Sequence, residues 1–133
     1  MVDKIKIIAL DPEVLALFTA GGNFLPLIAN TVNITGNTLL VSNANSGQIL
    51  YCSNANFNTV VTLSTTAQTG TSISVVQGST KNVRLVIQGT TGYANHKSGF
   101  ANTAGQWAMA SATVIENASG NTARWILLGD MAL

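Results

Sequence analysis

Charge is the scarcest property of this 133-residue chain. Asp, Glu, Lys and Arg together make up 8% of it, against about 25% in an average soluble protein. Six Lys and Arg against five Asp and Glu supply no basic stripe, which argues against a nucleic-acid partner. A helical bundle is equally disfavoured, because its wet faces need Glu and Lys. One cysteine, Cys52, excludes an intrachain disulfide framework and a zinc cluster. Long apolar runs are missing too. Ile7 to Leu10 is stopped by Asp11-Pro12, short of the roughly 7–15 residues of a secretory segment. Nothing approaches the roughly 18–20 residues of a membrane helix. The expectation is a protein made in a reducing cytoplasm, with no membrane partner.

Acid–base chemistry needs titratable groups placed together. Five of the charges sit in the first 13 residues, and none lies between Val14 and Thr80. Beyond Glu13, only His96, Glu116 and Asp130 are side chains suited to donating or accepting a proton in acid–base catalysis. No phosphate-binding glycine loop, HExxH, CxxC or GxSxG pattern is present. The chain is therefore read as a non-enzyme with no catalytic residue, no cofactor and no metal. Cys52 is read as a small buried hydrophobe, and His96 as a surface or interface residue. Trp107 and Trp125 stand in strand patterns, where core or interface packing is favoured over stacking on sugars or bases.

What the chain has instead is Asn, Thr and Ser, 40 of the 133 residues, and a hydrophobic fraction of 47%. From Thr38 onward these alternate as strands do. Thr38–Val41, Gln48–Cys52, Thr59–Leu63, Thr71–Val76 and Asn82–Ile87 are each followed by turn residues. A loop runs from Gln88 to about Gly105. Gln106–Glu116 and Thr122–Leu128 then form a hairpin around Asn117–Asn121. Strands at roughly 8–12-residue spacing predict an all-β, antiparallel sandwich or barrel. Several strands are apolar on both faces, Leu39-Leu40-Val41 and Trp125 to Leu128 among them. The second face is covered either by a large intrachain core or by another subunit, and the scarcity of surface charge favours the subunit.

The N-terminal part has another texture. Lys4–Ile7 alternates like a short strand. Asp11-Pro12-Glu13 reads as a cap, first-turn Pro and acid opening a helix of about two turns from Pro12 to Ala20, ended by Gly21-Gly22. So short a helix must dock to persist. Phe24 to Ile28 is apolar but broken by Pro26. The chain divides into an arm, residues 1–36, and a β-domain, residues 37–133. Ile5, Ile7, Leu15, Phe18, Phe24 and Leu25 are the expected contacts of the arm with a partner.

Gly70 to Gly78, Val83 to Ile87, Thr103-Ala104-Gly105-Gln106-Trp107-Ala108, Ala112 to Ile115 and Trp125 to Asp130 follow each other in an order that resembles a small β-domain of tailed-bacteriophage virion proteins. That family occurs at tail-fibre and tailspike ends, in head fibres and in capsid decoration proteins. The resemblance covers roughly 95 residues and departs at Ser79–Asn82, where the family has a Gly-rich turn. It implies a jelly-roll-like β-sandwich, homotrimeric, on the virion, with no catalytic set. Because Met1 stands only some 35 residues before the domain, the expectation is a capsid decoration or cement protein, head-fibre-like, that binds the major capsid protein and stabilises the head shell. The alternative is a tail-fibre or spike tip that binds a host receptor or glycan through Tyr93, His96, Lys97 and Phe100.

Overall fold

A computed structural model describes residues 30–89 and 92–133. They form eleven strands: β1 (Asn30–Ile34), β2 (Thr38–Val41), β3 (Gln48–Cys52), β4 (Thr59–Leu63), β5 (Ser72–Gln77), β6 (Val83–Ile87), β7 (Tyr93–His96), β8 (Asn102–Thr103), β9 (Met109–Glu116), β10 (Arg124–Gly129) and β11 (Met131–Ala132). A 3₁₀ turn at Asn43–Asn45 is the sole helical element among the described residues. The strand expected at Lys4–Ile7, the helix expected at Pro12–Ala20, and Ile5, Ile7, Leu15, Phe18, Phe24 and Leu25 all lie outside the described residues. Strand β1 falls inside the segment assigned to the arm, so the sheet begins by Asn30.

Two sheets face each other. One has six strands in the order β1-β3-β5-β9-β10-β7, the other five in the order β11-β8-β6-β4-β2. Through β6 the chain changes sheet at every step. Odd strands therefore stack in one sheet and even strands in the other, as a three-turn winding. This corrects the antiparallel, jelly-roll-like expectation. β1–β3, β3–β5, β2–β4, β4–β6 and β7–β10 are parallel; β5–β9, β9–β10, β6–β8 and β8–β11 are antiparallel. The physical reason lies in the connections. A two-residue hairpin joins antiparallel neighbours, whereas parallel strands need a crossover. Here each crossover is itself a strand of the opposite sheet.

The alternation of each strand puts its small and branched residues inward. Val41, Leu50, Val61, Leu63, Ile73, Val75, Val83, Leu85, Ala110, Ala112, Val114, Trp125 and Leu127 join one core drawn from both sheets. Cys52 belongs to it, and burial raises its thiol from 9.0 to about 11. Trp125 is fully buried, and its indole N–H donates to the Ser64 carbonyl at 2.9 Å, which satisfies the one polar atom the ring carries. The asparagines join the turns of successive windings. Asn54 Nδ2 donates to Thr35 O, Asn43 Oδ1 accepts from Gln68 N and Thr71 Oγ1, and Asn58 Oδ1 accepts from Asn82 N. Asn is suited to this work because its short side chain bonds backbone in turns.

Candidate interaction face

Outward residues of the six-stranded sheet form cross-strand rows. One runs Thr31, Ile49, Ser74, Ser111, Leu128. A second runs Asn33, Tyr51, Val76, Met109. A third runs Ser72, Thr113, Ile126, Asn95. None of the three contains a charged side chain. Met109 is 44% exposed and Leu128 54%, so large apolar groups stand in water on β9 and β10, which are interior strands of the sheet and not its edges.

The polar members of these rows are paired with each other. Ser74 and Ser111 hydroxyls lie 2.9 Å apart, and Ser72 and Thr113 hydroxyls 2.8 Å apart. A hydroxyl that already has a partner costs less to cover than one bonded only to water. The face is thus one that another apolar surface can cover at small polar cost.

Each end of the sheet carries a different group. At the β9–β10 hairpin a bulge leaves Ile115 unpaired between Glu116↔Arg124 and Val114↔Trp125. Beside it Arg124 pairs with Glu116 at 3.2 Å and lies 5.3 Å over the Tyr93 ring. Both partners of the ion pair are well exposed, so it contributes little to stability. At the opposite end, Trp107 lies over Tyr51 with ring centroids 6.5 Å apart and an interplanar angle of 19°.

Of the expected receptor-contact residues, His96 and Phe100 are brought together, stacked at 5.4 Å. His96 Nδ1 accepts the Ser98 N–H, and Phe100 packs against the core. Tyr93 sits apart from them with Arg124. Trp107, expected in a strand, instead occupies the turn before β9 and is 65% exposed. Gly105 two residues earlier was the signal for that turn. Among the described residues no three His, Cys, Asp or Glu groups gather, no pocket is formed, and no helix is long and apolar enough to cross a membrane. No protein-family model matches the chain, and no curated protein matches it.

Proposed function

We propose that the chain is a structural protein of a tailed-phage particle, a capsid decoration or cement protein of head-fibre type. Three copies meet through the outward face of the six-stranded sheet and sit on the major capsid protein of the head shell, with no enzymatic role. The observation that carries this reading is the set of three uncharged rows on that face, whose exposed Leu128 and Met109 flank mutually bonded Ser and Thr hydroxyls. Monomers seldom leave such a face open, and apolar patches of this kind mark interfaces. A closed cyclic assembly uses one such surface repeatedly. The resemblance to virion β-domains supplies the context of the particle, and the residues before Asn30 supply the length for an anchoring arm.

Sedimentation equilibrium tests the assembly. A mass three times the 13.8 kDa protomer is expected, with Leu128→Glu reducing it to the protomer mass. A wild-type mass of 13.8 kDa would refute the trimer. Adding the protein to heads that lack it tests the location. Saturable binding with greater resistance of the heads to heat is expected; binding to tails alone would refute a head role.

A further inference from the structure

The geometry points to a saccharide-binding platform made by Trp107 and Tyr51, for the face of an uncharged hexopyranose. It does not rest on the virion reading, but Tyr51 and Asn33 share a row with Met109, so it requires that this end of the face stay open beside any contact between copies. The first observation is backbone strain. Trp107 has φ 72°, the left-handed region that bulky residues avoid. It sits third in a turn closed by Ala108 N donating to Gly105 O at 3.0 Å, and its own N–H donates to Gln77 O at 2.7 Å. Glycine is the residue suited to that position. A tryptophan is held there with its ring 65% exposed, so burial in the fold does not offset the strain. Strain of this sort gathers at binding sites.

The second observation is the support beneath the ring. Tyr51 lies against the backbone of Gly78, where an added Cβ would stand 2.6 Å from the Tyr51 ring. Its ring is nearly parallel to that of Trp107. Tyr51 thus backs the Trp107 ring, and the two form an aromatic stack at the end of the sheet. Its rim is amide and hydroxyl: Gln106 is exposed and donates to Gly78 O at 3.4 Å, and Asn33, cross-strand neighbour of Tyr51, accepts from Ser53 Oγ at 2.7 Å.

This combination suits a sugar. The C–H face of a pyranose packs on an aromatic ring, and its hydroxyls bond to amides and hydroxyls at the edge. Aromatic shelves also stack bases, but a nucleic acid needs cations along its backbone. Lys81, in the turn after Gly78, is one cation. Arg84 points outward from the other sheet, Lys97 follows β7 at the sheet edge away from β3, and Arg124 is paired with Glu116 at the far hairpin. The ligand class is therefore neutral.

Tryptophan fluorescence of the full chain tests the platform, since Trp125 is buried and Trp107 reports alone on solvent. The probes are cellopentaose and chitopentaose, with oligothymidylate as the charged comparison. Either sugar is expected to shift the Trp107 emission and shield it from acrylamide at low-millimolar concentration. Titration calorimetry compares the variants, because Trp107→Gly removes the fluorophore: Trp107→Gly should weaken binding about tenfold or more, and Tyr51→Ala several-fold. Trp107→Gly should also leave the thermal midpoint unchanged or raise it by a few degrees, because the strain is relieved. Trp107→Phe should keep part of the binding. Three results would overturn the proposal: no response to either sugar, an equal or stronger response to oligothymidylate, or a Trp107→Gly chain whose midpoint and oligomeric mass both fall. The last would make Trp107 a contact between copies.

Discussion

Replacing Thr103 by Val tests how the two sheets are tied together. Thr103 is almost fully buried on β8, a two-residue strand whose single ladder pair with β6 is Arg84↔Asn102. Its hydroxyl donates to Gln77 Oε1 at 2.5 Å and accepts the Val83 N–H at 3.0 Å. Gln77 lies on β5 in the other sheet, and its Nε2 donates to the Ser79 carbonyl. One hydroxyl thus connects three segments across the core. Valine keeps the shape, so no cavity opens, but the Val83 N–H and Gln77 Oε1 both lose a partner inside the protein. Each orphaned group costs about 1–3 kcal/mol, which puts Thr103→Val at about 2–6 kcal/mol. Thr103→Ser keeps the hydroxyl and loses a methyl, for about 1 kcal/mol. Urea unfolding at fixed protomer concentration measures both, with an unchanged m value as the condition for comparing them. Adding Gln77→Met to Thr103→Val removes one of the orphans. The double variant should therefore cost less than the two single costs together, by about 1 kcal/mol or more. A Thr103→Val chain within about 0.5 kcal/mol of wild type, or less damaged than Thr103→Ser, would refute the reasoning.

Other consequences are as direct. The Cys52 thiol, raised from 9.0 to about 11 by burial, binds its proton more tightly folded than unfolded. Its contribution is whole below pH 9 and falls as pH rises toward 11, by about 2–3 kcal/mol; Cys52→Ala should flatten that alkaline slope in a pH series of urea midpoints. Gly129 has φ 118°, and a Cβ there would stand 2.5 Å from the Met109 carbonyl oxygen. Gly129→Ala must move backbone, so it should lower stability by about 2 kcal/mol or more, read as a drop in thermal midpoint. Deleting residues 1–28 spares β1 and should leave the circular dichroism spectrum of the β-domain while abolishing attachment to heads; attachment at wild-type strength would place the anchor in the β-domain.

Strands β2, β3 and β4 were legible to the residue, because Thr38–Val41, Gln48–Cys52 and Thr59–Leu63 alternate and end at turn residues. The short edge strands were not. Tyr93–His96 has no apolar run to mark it; β7 exists because it lies in register beside β10. Asn102–Thr103 and Met131–Ala132 are too brief to show a period. Parallel pairing was hidden for a more general reason. A strand alternates with period two whichever way its neighbour runs, so the pattern of Leu50, Cys52, Ile73 and Val75 is silent on direction. The two apolar faces of Trp125 to Leu128 were legible and the structure separates them: Trp125 and Leu127 face the core, while Leu128 is exposed. Trp107 was misplaced by treating Gln106 as the start of a strand, when the glycine before it made a turn.

The alternation of the first six strands between sheets also sets the order of events during synthesis. Partners in the winding are separated by 18 positions (Asn30 and Gln48) to 25 (Ile49 and Ser74). Among the described strands only β9 and β10 are both consecutive in the chain and paired. Loops must close before distant partners reward the chain, so folding dominated by such contacts is slow. The one local hairpin follows all the windings in the sequence, and β9 is the strand on which β5 pairs. The nascent chain therefore carries its windings exposed until that hairpin emerges, and a chain cut short before Met109 keeps open strand edges of the kind that invite aggregation.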